Sequence, residues 1–161
     1  MGSRGKEIVK VDVEKLLKML NKALADEWLA TYQYWIGAKI AVGNERSAVA
    51  SEFLVHAKEE QGHADQLVER IVQLGGTPVL GPREWLEISP KTYLKPESFK
   101  VKDLLKQNIT AEQGAISDYH NILEFTHGKD HATHHLVGQI LRDEIHHEDE
   151  LETMLEDLLS T

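Results

Sequence analysis

Two short stretches of the sequence place a glutamate and a histidine three residues apart. Glu60 and His63 lie within 58-KEEQGHADQ-66, and Glu144 and His147 lie within 142-RDEIHHEDE-150. A spacing of three puts both side chains of a pair on one face of a helix, so that both can reach one ion. Carboxylate oxygens and imidazole nitrogens are ligands that iron, manganese and zinc accept in proteins. Each pair is therefore a candidate half of a metal site.

Two further glutamates precede these pairs at nearly equal distances. Glu27 lies 33 residues before the first Glu-x-x-His pair, and Glu112 lies 32 residues before the second. The midpoint of the first interval falls beside Gly43, and the midpoint of the second falls on Gly128. Residues at equal distances from a tight turn face each other across an antiparallel helix hairpin. The chain therefore reads as two similar halves, each with two glutamates and one histidine at one level.

Four buried carboxylates at one level cannot all stay ionised without compensation, because desolvation and mutual repulsion oppose their charge. Two divalent cations carry the charge that balances four glutamates, and two neutral imidazoles complete the ligand shells. The residues predict a two-metal site of iron, with manganese or zinc as the alternatives that share these ligands. The predicted metal ligands are Glu27, Glu60, His63, Glu112, Glu144 and His147.

Four long stretches with apolar residues at every third or fourth position would position these side chains. They cover residues 11–42, 45–74, 101–127 and 130–159. All four prolines fall in the connector, residues 77–100, where 82-PREWLEI-88 predicts a short helix with proline at its start. The predicted fold is all-α: a four-helix bundle of two antiparallel helix hairpins joined by a long crossover. Residues 1–161 are expected to form one domain, with a frayed N-terminal arm over about residues 1–10.

The composition narrows the classes of function. The chain has 161 residues and no cysteine, which excludes disulfides, cysteine metal sites, iron–sulfur clusters and thiol nucleophiles. A formal net charge of −9 disfavours nucleic acid as a partner. No apolar run reaches the length of a membrane span, and no signal peptide is recognisable, so a cytoplasmic protein without a membrane partner is expected.

The ligand pattern and the stretch 27-EWLATYQYW-35 resemble bacterioferritin, and the resemblance to the ferritin-like superfamily covers about residues 12–159. The resemblance implies that Glu60 and Glu144 bridge two irons, with Glu27 and His63 on one and Glu112 and His147 on the other. Tyr34 matches a tyrosine beside the family's site that is implicated in electron delivery, which adds it to the catalytic residues. The implied activity is that of a ferroxidase. Fe²⁺ is oxidised by O₂ or H₂O₂, ferric mineral is stored in a hollow cage, and the cell is protected from oxidative stress.

Three features depart from bacterioferritin. Gln61 stands where bacterioferritin has its haem-ligating methionine, so haem is not expected. The sequence ends fourteen residues after His147, whereas ferritins continue into a fifth helix that helps to build a twenty-four-subunit cage. A short helix in the connector is a feature of the Dps class, which forms twelve-subunit cages. The resemblance therefore implies a Dps-like homo-oligomer, a dodecamer, with a bacterioferritin-type site inside each bundle.

The same residues allow alternative functions and further candidate sites. A small di-metal oxidase or catalase-type enzyme without storage, and a DNA-coating cage with a structural metal site, are the alternative functions. Tyr119 lies seven residues after Glu112 on the same face of the helix, and Tyr34 lies seven residues after Glu27 in the same way. The secondary candidates for metal binding are the cluster of His127, His131, His134 and His135, and an accessory iron site of His56 and Glu59.

Overall fold

The computed structural model describes residues 2–90 and 92–160 as a bundle of helices. Four long helices form the bundle: α2 (Val13–Ile40), α3 (Arg46–Gln73), α5 (Val101–Thr126) and α6 (His131–Ser160). Two short helices, α1 (Ser3–Glu7) and α4 (Pro82–Ile88), lie before α2 and within the connector. The described residues contain no β-strand, and no helix among them is long and apolar enough to cross a membrane. The predicted all-α four-helix bundle is confirmed.

The helices begin and end within two residues of the predicted bounds, and the predicted short helix coincides with α4. Local signals explain these ends. The side chain of Asp12 accepts a hydrogen bond from the backbone N–H of Lys15 at 3.1 Å and caps α2. Gly43 (φ +111°) and Gly128 (φ +66°) supply left-handed backbone in the two hairpin turns, where a Cβ atom would be strained.

The connector carries the chain from one end of the bundle to the other. It leaves α3 beside the start of α2 and ends beside the turn that follows α2. There the Val42 N–H donates to Phe99 O at 2.8 Å, and the Val101 N–H donates to Val42 O at 3.1 Å. This crossover lets α5 and α6 pack at the same level as α2 and α3.

Side chains of α2 hold the connector against the bundle. Trp85 of α4 stacks on Trp28, with ring centroids 5.5 Å apart and planes at 9°. Asn21 donates to Thr77 O at 3.2 Å and accepts from the Val79 N–H at 2.8 Å. The connector therefore covers one face of α2.

The buried apolar residues form two clusters along the bundle. The first cluster includes Leu16, Leu20, Leu24, Leu67, Ile71, Ile122, Val137 and Ile140. The second includes Val49, Phe53, Val101, Leu104, Leu105 and Leu151. Buried glutamates and histidines occupy the layer between these clusters.

A buried ion pair joins α3 to the start of α6. The Arg70 Nη2 atom lies 2.8 Å from Asp130 Oδ2, and Arg70 Nε donates to Thr133 Oγ1 at 2.7 Å. Asp130 also accepts from the Thr133 N–H at 3.1 Å, which caps α6. Hydrogen bonds to both partners compensate for the desolvation of the pair.

The N-terminal arm, for which a frayed terminus was expected, contains a short helix and contacts the bundle. It contains the five residues of α1, and the Lys10 N–H donates to Lys129 O at 2.9 Å. Val9 packs against the first apolar cluster. This contact partly buries an apolar side chain that the sequence pattern did not assign to a helix. Met1 lies outside the described residues.

Candidate metal centre

Four glutamates meet in the middle of the bundle, one from each long helix. Glu27 lies on α2, Glu60 on α3, Glu112 on α5 and Glu144 on α6, and each is at most 3% exposed. Each one interrupts the apolar seam of its helix, as the three- and four-residue spacing indicated. The two hairpins and the crossover bring all four carboxylates to one level.

The two histidines turn their Nδ1 atoms toward these carboxylates. The Nδ1 atom of His63 lies 3.1 Å from Glu60, 3.2 Å from Glu144 and 3.5 Å from Glu27. The Nδ1 atom of His147 lies 3.2 Å from Glu60 and 3.5 Å from Glu144. Both histidines therefore approach the same two glutamates.

These side chains form two groups with metal-ligand spacing, in which the ligand atoms lie within 4.8 Å of one another. The first group is Glu27, Glu60, His63 and Glu144, and the second is Glu60, Glu112, Glu144 and His147. Only the glutamates of α3 and α6 belong to both groups. The six residues predicted as ligands are brought together, and each group offers three carboxylates and one imidazole.

Outer carboxylates hold the far side of each imidazole. The Nε2 atom of His147 lies 3.0 Å from Glu59, and the Nε2 atom of His63 lies 3.5 Å from Asp143. Each outer carboxylate immediately precedes the shared glutamate on its helix and contacts the histidine of the opposite half. Such contacts fix which ring nitrogen faces a metal. Asp143 was not among the predicted residues, and Glu59 was paired with His56. An acidic residue directly before each shared glutamate is the signal that could have identified both.

Two buried tyrosines cross between the halves in the same way. The Tyr34 hydroxyl on α2 donates a hydrogen bond to Glu112 on α5. The Tyr119 hydroxyl on α5 donates a hydrogen bond to Glu27 on α2. Each tyrosine therefore restrains a glutamate that belongs to one group alone, and the two contacts are related by the approximate two-fold symmetry of the halves.

The cluster favours protonated side chains in the absence of a cation. Burial, together with the charges of Glu60 and Glu144, raises the pKa of Glu27 and of Glu112 well above the usual carboxyl range. Burial opposes a charged imidazole, but contacts with Glu144 and Glu60 raise the pKa of His147 to about 12. The pKa of His63 is also raised, against the effect of burial, by its three neighbouring carboxylates. The site therefore favours positive charge. It favours the protonated form of imidazoles that are normally neutral and of carboxyl groups that are normally ionised.

The donor atoms fit divalent metal ions. Among the described residues, Glu27 Oε2, Glu60 Oε1, Glu144 Oε1 and His147 Nδ1 are buried without a hydrogen bond of acceptable geometry. Each such atom costs about 1–3 kcal/mol unless a partner satisfies it. Coordination to two cations, one in each group, would satisfy all four atoms. The mixture of oxygen and imidazole nitrogen suits iron, manganese or zinc.

A cavity of about 430 Å³ leads from the surface to the carboxylates, between α2, α5 and the connector. The lining includes Ala30, Gln33 and Ala111 and reaches all four glutamates of the centre. At its rim, Lys22 Nζ lies 2.8 Å from Asp26 and 2.6 Å from Asp118. Lys22 and Asp118 have side chains about 40% exposed, so the cavity communicates with solvent.

The secondary candidates have different surroundings. His127 and His134 have ring centroids 5.4 Å apart, and His134 Nδ1 lies 3.2 Å from Leu123 O. Within residues 2–90 and 92–160, the histidines of this cluster belong to no group with metal-ligand spacing. His56 contacts Glu52 and Glu150 instead of the predicted Glu59.

A family model described as a ferritin-like domain matches residues 17–160. The chain is 38% identical over 148 residues to the DNA protection during starvation protein of Pyrococcus furiosus, covering 90% of this chain and 79% of that protein. It is 31% identical over 147 residues to the bacterioferritin of Brucella melitensis, covering 91% of this chain and 85% of that protein.

Solved structures show the same architecture. A dodecameric thioferritin, the bacterioferritin-related protein of Bacteroides fragilis, superimposes with a TM-score of 0.92 at 43% identity, covering 94% of this chain and 90% of that one. Dps from Staphylococcus aureus superimposes with a TM-score of 0.85 at 18% identity, covering 90% and 97%, which shows the fold alone. The family match over most of the chain and the two relatives above 30% identity establish that this chain belongs to the ferritin-like family.

Proposed function

We propose that the protein oxidises Fe²⁺ at the six-residue centre with O₂ or H₂O₂ and stores the ferric product inside a homo-oligomeric cage. The single observation that carries this proposal is the pair of four-residue groups that share Glu60 and Glu144. Two groups with two residues in common are the arrangement that two neighbouring metal ions with bridging carboxylates require.

The chain's residues have distinct roles in this proposal. Glu60 and Glu144 would contribute to both ligand sets, Glu27 and His63 would complete one, and Glu112 and His147 would complete the other. Oxidation of two Fe²⁺ releases two electrons, which reduce one H₂O₂ to water or one O₂ to H₂O₂ with the uptake of two protons. Iron is the substrate, and manganese or zinc are the competing ions that these ligands accept.

The surrounding side chains would position the ligands and admit the substrates. Glu59 and Asp143 orient the two histidines from the outer side. Tyr34 donates a hydrogen bond to Glu112 and would hold this ligand in position during oxidation. The cavity with Asp26 and Asp118 at its rim gives Fe²⁺ and a small oxidant a route from solvent.

An exposed apolar face supports self-association. Tyr32, Trp35 and Leu54 on α2 and α3 are between 40% and 49% exposed and line one surface groove. Contiguous exposed apolar residues mark surfaces that bind other proteins. The related thioferritin of Bacteroides fragilis is dodecameric, so we propose a twelve-subunit cage for this chain as well.

Aerobic addition of several tens of Fe²⁺ per chain to the metal-free protein tests this function. We expect rapid oxidation, with the iron retained in a large soluble particle on size-exclusion chromatography. Glu60→Gln should remove the fast phase, because it removes one bridging charge from both groups. Glu69→Gln, on an exposed position of the same helix, is the matched control and should oxidise iron normally.

The same experiment distinguishes the alternative. Oxidation that stops near two Fe²⁺ per chain, with no iron-filled particle, would leave a small di-metal oxidase or catalase-type enzyme as the function. Oxidation at the same rate in Glu60→Gln and the parent protein would refute the proposed centre itself.

A further inference from the structure

A second polar cluster lies about one helical turn from the centre, between α3 and α6. The Nε2 atom of His56 lies 3.1 Å from Glu150 Oε2 and 3.6 Å from Glu52 Oε1. The ligand atoms of these three residues all lie within 4.8 Å of one another. Two carboxylates and one imidazole are therefore convergent at a second place in the bundle.

The imidazole of His56 stands between this cluster and the centre. Its ring is fully buried and stacks on His147, with centroids 4.1 Å apart and planes at 22°. His56 also has a ligand atom within 4.8 Å of ligand atoms of Glu112 and His147. The Nε2 atom is the ring nitrogen that faces Glu52 and Glu150, so it is the atom through which the ring could bind an ion between them.

The charge of the cluster is also uncompensated. Across residues 2–90 and 92–160, neither Glu52 nor Glu150 forms an ion pair with lysine or arginine. The other neighbour of Glu150 is His146, whose Nε2 atom lies 3.3 Å from its Oε1. The carboxylate side chains of Glu52 and Glu150 are 30% and 36% exposed, so an ion can reach them from solvent.

We propose that Glu52, His56 and Glu150 form a third cation site, which binds a divalent ion of the iron, manganese or zinc class. Two carboxylates neutralise one divalent cation, and the imidazole supplies the nitrogen ligand that favours these metals over calcium or magnesium. Because His56 also contacts His147, the site is placed to exchange Fe²⁺ with the centre. This exchange role, unlike the binding itself, rests on the proposed function.

Zn²⁺ is the probe for binding, because it takes the same ligands without oxidation. Calorimetric titration of the metal-free protein should give three equivalents per chain, and Zn²⁺-soaked crystals should show anomalous density among the three side chains. Glu52→Gln/Glu150→Gln should weaken the third equivalent by more than about tenfold, since even the loss of groups that only orient ligands costs 10–100-fold. The matched control is Asp149→Asn/Glu152→Gln, which removes two exposed charges of α6 and should retain all three.

Two results would overturn the site: no density among the three side chains at saturating Zn²⁺, or a third equivalent that survives in Glu52→Gln/Glu150→Gln. If Glu27→Gln/Glu112→Gln impairs the centre but keeps the third equivalent of Zn²⁺, the third site exists whether or not the proposed function is correct. For the exchange role, the Glu52→Gln/Glu150→Gln variant should oxidise its first Fe²⁺ normally but take up later iron more slowly. Unchanged later uptake would refute that role.

Discussion

Loading the centre with metal should release protons in a predictable number. Without metal, the raised pKa of Glu27 and Glu112 favours the protonated form of these carboxyl groups. The raised pKa of His63 and His147, the latter about 12, keeps two protons on the imidazoles. Metal ligands must be deprotonated to bind, so two divalent cations should displace protons, up to four per chain, near neutral pH.

The direction of the pH dependence follows from these shifts. All four groups hold protons more strongly than usual, so protons compete with metal more effectively as the pH falls. Metal affinity should therefore rise with pH across the neutral range, where the imidazole protons are still bound without metal. If about four protons leave for two ions, affinity per ion should rise by about a hundredfold per pH unit.

Titration with Zn²⁺ in buffers of different ionisation enthalpy measures the proton count directly. Glu27→Gln/Glu112→Gln mimics the protonated carboxyls and should release about two protons fewer, with weaker binding. The conversion of exposed Glu69 to Gln should leave the count unchanged. Release of less than one proton per pair of ions, or an equal release from the double variant, would refute the charge balance inferred here.

The remaining predictions concern stability, rate and partners. Arg70→Met leaves Asp130 buried without its cation and should lower the free energy of unfolding by about 3–5 kcal/mol in urea denaturation. The control Arg142→Met, at a side chain that is 75% exposed, should change the free energy of unfolding by less than about 0.5 kcal/mol. Tyr34→Phe should slow Fe²⁺ oxidation in stopped-flow traces while Zn²⁺ stoichiometry is retained, and an unchanged rate would remove that role. The net charge of −9 predicts no retardation of duplex DNA in a low-salt gel shift, and a salt-sensitive shift would contradict it.

The helical framework was predictable because its signals are local and repeated. Gly43 and Gly128 mark the hairpin turns, and the equal intervals around them place the glutamates at one level without any knowledge of packing. Pro82 marks the start of α4, where its fixed φ suits the first helical position. Periodicity, turn residues and spacing therefore suffice for the architecture and for the six central side chains.

The contacts around the centre were not predictable from the same signals. Tyr34 shares a seam with Glu27 in the sequence, yet its hydroxyl bonds Glu112 on another helix, because the contact depends on how the two halves pack. Asp143 lies beside the seam, and only the approach of His63 across the bundle gives it a partner at the centre. Likewise, His56 lies three residues from Glu59 on one helix but contacts Glu150 of α6. Such choices between helices are set by tertiary geometry, which one-dimensional spacing does not encode.

The polar layer that divides the core has a consequence for cooperativity. Apolar burial holds each end of the bundle separately, and the two clusters meet across ionisable side chains rather than across continuous hydrocarbon. In the metal-free state, partial openings at either end should therefore be less tightly coupled. Amide hydrogen exchange should then resolve two ends of unequal protection, and ligation across all four long helices should merge them into one unfolding unit.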